Sequence, residues 1–216
     1  MIEDPEAFIR ANTALLPAPH APEIRLHVAD EITPIWRMTE ERLGELGIAP
    51  PFWAFAWAGG QAIARYLLDH PHEAQGRSVL DFASGSGLCA IAAMRAGADR
   101  ALGCDIDPLC RAAIALNAAA NGVEVACVIA DLLDQPPPAM DLILAGDICY
   151  EKPVAERALS WLRAAHDAGA RVLIGDPGRS YFPRTGLVQL AEYQVQTTRE
   201  LEDFEIKRTG VWTFPS

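Results

Sequence analysis

The sequence predicts an α/β protein: a mainly parallel sheet with helices on both faces, closed by an antiparallel hairpin. Three observations predict it. From Gly76 onward the chain repeats strand, turn and helix five times. Several strand-like runs end on an acid, at Asp81, Asp105, Asp147 and Asp176. Residues 194–199 and 206–214 then alternate apolar and polar side chains, as an antiparallel pair at a sheet's end does. Strands that alternate with helices favour parallel pairing, and the nearly continuous apolar run 140–146 reads as a strand buried on both faces.

A chain of 216 residues suffices for one full core and is short for two ordinary domains. The expected organisation is one compact unit, with residues 1–72 as an N-terminal extension and aromatic lid packed on a core of 73–216. Half the residues are apolar, which excludes a disordered chain. The net charge of −11 argues against a surface that tracks phosphates, so nucleic acid is not the expected partner. Such a surface suits cationic partners, lysine-bearing proteins among them, or simply confers solubility. Cys89, Cys104, Cys110, Cys127 and Cys149 form no Cys-x-x-Cys pair, and His20, His27, His70, His72 and His166 are scattered. Reduced thiols and no metal are therefore expected. No uninterrupted apolar run approaches the roughly 20 residues of a membrane span, and acids rather than a basic, apolar leader open the chain. A cytoplasmic monomer without a membrane partner is the expectation.

In chain order, residues 4–16 read as a short amphipathic helix, with Asp4 as cap, Pro5 in the first turn, and Phe8, Ile9 and Leu15 or Leu16 on its apolar side. Pro17, Pro19 and Pro22 break regularity before a short edge strand over 23–29. A second helix is predicted over 34–46 with Thr33 as cap. Residues 50–60 carry four aromatics closed by Gly59-Gly60. They serve either as an apolar belt between extension and core, or as a lid whose rings suit a sulfonium or ammonium. Helices are predicted over 61–69, 87–96, 109–120 and 153–168, with a short one within 181–192. Strands are predicted over 79–82, 100–106, 124–129, 140–146 and 171–175.

The chemistry-bearing residues lie where strands give way to loops. Asp81-Phe82-Ala83-Ser84-Gly85-Ser86-Gly87 is a βα turn in which bare backbone admits a ligand, with Asp81 either bonding that ligand or fixing the loop. It lacks the G-x-G-x-x-G order of a dinucleotide site, and a tight turn with no ligand is the alternative. Asp105 follows Asp81 by 24 residues, where an acid accepts from the ribose of an adenosine ligand, while Asp107 suits a helix cap. Asp131 would accept from an adenine amine gripped by Ile106 and Leu132, or serve as a turn residue. Asp147 and Tyr150 leave the fourth core strand on the ligand side. Their alternatives are a helix cap before Pro153 and plain packing.

Together, the Asp81–Gly87 loop, Asp105, residues 117–122, Asp131 and Asp147-Ile148-Cys149-Tyr150 resemble the class I, seven-strand protein lysine methyltransferases, in which a D-x-x-Y/F motif follows the fourth strand. Trp57-Ala58-Gly59-Gly60 and Gly175-Asp176-Pro177-Gly178-Arg179 resemble more closely the branch acting on the electron transfer flavoprotein β subunit, in a bacterial form. The resemblance implies a Rossmann-like sheet of seven strands with the last antiparallel. It implies S-adenosylmethionine (SAM) held by Asp81, Ala83, Ser84, Gly85, Gly87, Asp105, Ile106, Asp131 and Leu132, with Trp57 near its methionine end and S-adenosylhomocysteine as product. Ala83 stands where many relatives carry glycine. Asp147 and Tyr150 would be the catalytic pair bordering a lysine channel, with Trp53 also facing substrate. The implied partner is a protein bearing target lysines, the flavoprotein β subunit or a ribosomal protein. A small-molecule N-methyltransferase and a SAM-binding adaptor are the rival readings.

Overall fold

The computed structural model describes residues 2–29, 33–35, 38, 44, 50–196 and 206–215. A seven-stranded sheet runs in the order β5-β4-β3-β6-β7-β9-β8. Its strands are β3 (Ser78–Phe82), β4 (Arg100–Asp105), β5 (Ala126–Ile129), β6 (Leu142–Gly146), β7 (Arg171–Asp176), β8 (Val188–Gln196) and β9 (Ile206–Thr213). The first five pair in parallel, and β9 lies antiparallel to both β7 and β8. This is the predicted mostly parallel sheet with an antiparallel last strand.

Period two along the central strands splits the core between two faces. Val79, Leu142, Leu144 and Leu173 point to one side, where α2 (Ala58–Asp69) and α3 (Leu88–Arg95) pack. Leu80, Ile143, Val172 and Ile174 point to the other, beneath α5 (Lys152–Asp167). A third cluster joins α4 (Leu109–Ala120) to Ile9, Trp53 and Ile35. All five cysteines are free, and all but Cys127 are buried.

Two predicted elements change type. The N-terminal helix is α1 (Pro5–Asn12), capped by Asp4, whose side chain accepts the Ala7 N–H at 3.0 Å. It stops before Leu15 and Leu16 because these enter β1 (Ala14–Ala18), which pairs antiparallel with β2 (Ala21–Val28). Cross-strand pairing outweighs a helical period that sequence alone could extend. The proline-interrupted segment is thus a hairpin, carrying Pro17 and Pro22 within its strands. The second correction is the short helix within 181–192, whose end is instead the start of β8. A bulge between Gln189 and Ala191 leaves Leu190 unpaired, shifting the apolar period by one residue and hiding the strand's alternation. The helix predicted over 34–46 falls largely outside the described residues.

The hairpin is docked on the core by amides. Asn117, wholly buried on α4, accepts the His27 N–H at 2.7 Å and donates to the Ser86 carbonyl at 2.8 Å. Asn121 accepts the Arg25 N–H and donates to its carbonyl, at 2.9 and 2.6 Å. Gln61 on α2 accepts the His20 N–H at 2.8 Å.

Helix α2 approaches the sheet more closely than side chains permit. A Cβ on Gly59 would collide with the Gly175 carbonyl and reach 2.6 Å from an Asp147 carboxylate oxygen, whereas one on Gly60 would meet nothing nearer than 3.8 Å. Gly59→Ala is therefore expected to destabilise the protein by about 1–3 kcal/mol, as overpacking of a dense interior does. Gly60→Ala should be near neutral. Paired denaturant melts check this; equal midpoints for the two variants would refute the tight contact.

Candidate active site

The chain crosses from one side of the sheet to the other between β5 and β6, so β3 and β6 flank a topological switch point. Parallel sheets form their ligand crevice there, outside the C-terminal strand ends. Asp81, Asp105 and Asp147 all belong to these ends, on neighbouring strands.

The glycine loop is held from below and from the side. Asp81 is 2% exposed, and one carboxylate oxygen accepts both the Ser84 hydroxyl at 2.6 Å and the Ala90 N–H at 3.0 Å. Of its two predicted tasks, the structure displays loop fixing. Asp105 accepts the Gly85 N–H at 2.8 Å and the Asp107 N–H at 3.0 Å on separate oxygens. With up to about four acceptor positions, the carboxylate retains capacity for a hydroxyl donor. Asp107 takes the Leu109 N–H at 2.9 Å at the start of α4, the capping task predicted for it. Ala83, Gly85 and Gly87 have left-handed φ values of 54°, 53° and 83°. Alanine at the first of these tolerates a conformation that glycine adopts freely.

Several observations bear on an adenosyl group. A Cβ on Gly85 would meet the Trp53 backbone at 3.7 Å, an ordinary contact, so the aromatic segment lies directly against the loop on that side. Ile106, next to Asp105, is 73% exposed, an uncovered apolar side chain of the kind a base ring would bury. Leu132 is half-buried across from it on the β5 side. The neighbouring Asp131 is spent locally: it accepts the Leu133 N–H at 2.9 Å and lies 3.9 Å from Arg157, a turn residue as its alternative reading had it. Its accepting capacity is not exhausted by one N–H. The residues present fit the group.

Asp147 is the most constrained residue of the site. Its φ of 58° is left-handed, which costs a non-glycine residue about 1–2 kcal/mol. Contacts with Gly175, Gly60 and Arg179 hold it there. Its N–H donates to the Gly175 carbonyl at 2.9 Å, and one carboxylate oxygen accepts the Gly60 N–H at 3.0 Å. The other oxygen accepts Nη2 and Nε of Arg179, at 2.7 and 3.2 Å. Asp147 thus does serve a helix N-terminus, but that of α2 rather than the helix at Pro153. The latter begins at Lys152 and has Glu151 at its N-cap, with no side-chain cap hydrogen bond. Arg179, whose role sequence reading left unassigned, is aimed by Asp176: one oxygen of this buried acid accepts the Gly178 and Arg179 N–H groups, both at 2.7 Å. Burial pushes the Asp176 carboxyl up to about 6.

Around Asp147 the aromatic segment divides in two. Trp53, predicted to face substrate, is wholly buried among Ile9, Leu109 and Ile114 and has no surface to offer. The ring on the crevice side is Phe52, 50% exposed and 5.9 Å from the ring of Tyr150, itself 49% exposed. Trp57 donates its indole N–H to the Phe52 carbonyl at 2.9 Å and lies 5.7 Å beneath the Arg179 guanidinium. The segment is therefore belt and rim at once, with Trp53 turned into the core and its neighbour Phe52 outward. Burial raises the Tyr150 phenol above its ordinary range, so it stays protonated at neutral pH.

The sheet order and the strand-tip loop define a class I, SAM-dependent methyltransferase fold. A family described as ribosomal protein L11 methyltransferase (PrmA) matches residues 62–150. The crystal structure of magnesium protoporphyrin IX methyltransferase from Synechocystis PCC 6803 with bound SAM superposes with a TM-score of 0.55 at 15% identity, covering 87% of this chain and 86% of that one. The electron transfer flavoprotein beta subunit lysine methyltransferase of Mus musculus is 38% identical over 97% of this chain and 84% of its own length. The Homo sapiens protein of that name is 37% identical over 98% and 83%. The chain belongs to the electron transfer flavoprotein β subunit lysine methyltransferase family, and it is a SAM-dependent protein-lysine N-methyltransferase.

Burial lifts the Asp81 carboxyl to about 7, against the downward pull of its Ser84 and Ala90 hydrogen bonds and with the Asp105 charge adding to the rise. A carboxyl whose folded value lies above its unfolded value of 3.8 contributes stability in acid that disappears as pH rises through 7. Asp81→Asn removes this titration. The melting temperature of wild type should therefore fall relative to Asp81→Asn between pH 5 and pH 8; parallel curves across that range would exclude the shift.

Proposed function

We propose that this enzyme methylates lysines of the electron transfer flavoprotein β subunit, with SAM as donor and S-adenosylhomocysteine as product. Near-full-length similarity to enzymes named for that substrate is the observation that carries the reading. Asp81 shapes the cradle from beneath and Asp105 accepts from the ribose. Ala83, Ser84, Gly85 and Gly87 give backbone access, and Ile106 and Leu132 flank the base. Asp131 accepts from its amine, and Trp57 lies toward the methionine end. When bound, SAM supplies a methyl carbon activated by its positive sulfur: the amine nitrogen forms the new N–C bond as the C–S bond breaks. The protein's task is then alignment more than activation.

A lysine amine of ordinary pKa near 10.4 arrives protonated and must lose a proton to attack. Asp147 attracts the ammonium and, once water has taken that proton, orients the neutral amine as a hydrogen-bond acceptor. It is no general base, since an ordinary carboxylate accepts protons weakly at neutral pH. Arg179 balances its charge before substrate enters, so no lone buried carboxylate is left uncompensated. Tyr150 and Phe52 wall the approach, their ring faces attracting the ammonium and its methylated forms by about 0.5–2 kcal/mol. No step in this scheme calls for a metal, and a monomeric, cytoplasmic enzyme agrees with it.

Asp147→Asn keeps an acceptor for Gly60 while removing the charge. It should lower kcat/KM for the β subunit by roughly 100-fold and leave SAM affinity within about threefold. Transfer of labelled methyl groups, with calorimetry of SAM binding, reads both. Turnover equal to wild type would remove Asp147 from the catalytic role. Peptide mapping of label to β-subunit lysines tests the substrate, and label confined to small molecules would favour the N-methyltransferase reading.

A further inference from the structure

A cavity of about 400 Å³ lies beside Arg179. Its walls come from the segment after β7 and from β9, and none of them belongs to the SAM loop. Arg179 and Arg184 bring two guanidinium groups, Ser180 and Thr185 two hydroxyls, and Phe182 and Trp212 an apolar floor with ring centroids 5.4 Å apart. Among the described residues, no acid lines it. On a chain with 29 acids against 18 lysines and arginines, that is a local reversal of sign. Arg184 is exposed and has no ion-pair or hydrogen-bond partner among the described residues. An arginine left unpaired in an acidic protein, at the mouth of a cavity with polar hydrogen-bond donors, suits a carboxylate from outside.

Place adds to charge. Arg179 lines this cavity and also grips Asp147 at 2.7 Å, so the cavity and the residue proposed to meet the lysine are about one arginine side chain apart. That span corresponds to roughly two or three residues of extended peptide, at about 3.3–3.6 Å each.

We propose that this cavity is a substrate-recognition subsite receiving an acidic side chain that lies within about three residues of the target lysine, with Arg184 as its principal partner. The inference rests on the protein-lysine reading of the Asp147 site. A carboxylate seated on Arg184 fixes the register of the peptide, so the lysine beside it is presented to Asp147 rather than one further along. Its apolar neighbours shield the pair from water and strengthen it, as happens when opposite charges meet off the open surface.

The test uses purified full-length enzyme, a purified electron transfer flavoprotein β subunit and methyl-labelled SAM. Wild type first maps the labelled lysine. Arg184→Glu should then raise KM for the β subunit about tenfold, with kcat within about twofold and SAM affinity unchanged, since a charge at the edge of an interface acts on encounter more than on chemistry. Changing the acid nearest the mapped lysine to lysine in the substrate should weaken wild type similarly and restore Arg184→Glu. Because Arg184 is exposed, its melting temperature serves as a folding control. A KM indifferent to Arg184, or a reversed pair that fails to recover, overturns the subsite while leaving the methyltransferase reading intact. Absence of any label on the β subunit with wild type overturns the substrate reading and the subsite together.

Discussion

The site depends on one steric constraint: two backbones touch where side chains would keep them apart. Gly59 of α2 lies against Gly175 of β7, and a Cβ on Gly146 would stand 2.8 Å from the Gly60 nitrogen. With bare backbone on both sides, the first turn of a helix reaches the tips of two parallel strands. The Gly60 N–H, which a helix start leaves without an internal partner, then points at Asp147. A carboxylate at that position meets both an orphan donor and the positive end of the helix dipole. This stabilisation and the Arg179 pair offset the left-handed backbone of Asp147. Without the glycines the helix would stand further off, and Asp147 would lose the contact that orients it.

The acids at the strand ends share a second economy. Asp81, Asp105, Asp147 and Asp176 each accept backbone N–H groups of a neighbouring loop or helix. They are structural before they meet any ligand. How deeply each is placed then decides its chemistry. Asp81 and Asp176 are buried, and desolvation raises both. Asp105 keeps part of its carboxylate open to the crevice, and Asp147 sits behind an arginine. A row of like charges in so small a region is tolerable because two are pushed toward neutrality and a third is paired.

Much of this was legible in the sequence. The sheet, its closing hairpin and the acid at each tip follow from period and punctuation, because central parallel strands are apolar throughout and their loops carry the ligand chemistry. What escaped was pairing at a distance. Nothing local to Asp147 announces Arg179, 32 residues away, or Gly60, 87 residues away. Trp53 and Phe52 are adjacent and equally aromatic, yet one is wholly buried and the other half-exposed, a choice made by the cluster around Ile114 rather than by the dipeptide. The N-terminal hairpin was hidden for a similar reason. Its apolar residues fit a helical stripe until β2 offers Leu15 and Leu16 a ladder, and the bulge at Leu190 disguised β8 in the same way.

The amides that dock the hairpin join the extension to the glycine loop. Asn117 holds β2 through the His27 N–H with one end and the Ser86 carbonyl with the other. It is wholly buried, so each lost bond would leave a polar group without water to replace it, at about 1–3 kcal/mol. A single side chain therefore makes the register of β2 and the shape of the loop that receives the adenosyl group interdependent. An alanine-rich helix spends a buried position on asparagine here because only a side chain with a donor and an acceptor bridges two backbones that present opposite needs. The extension is thus more than a cover laid over a finished core. Its strand is one wall of the same hydrogen-bonded unit, tied through Asn117 to a loop that Asp81 and Asp105 also hold.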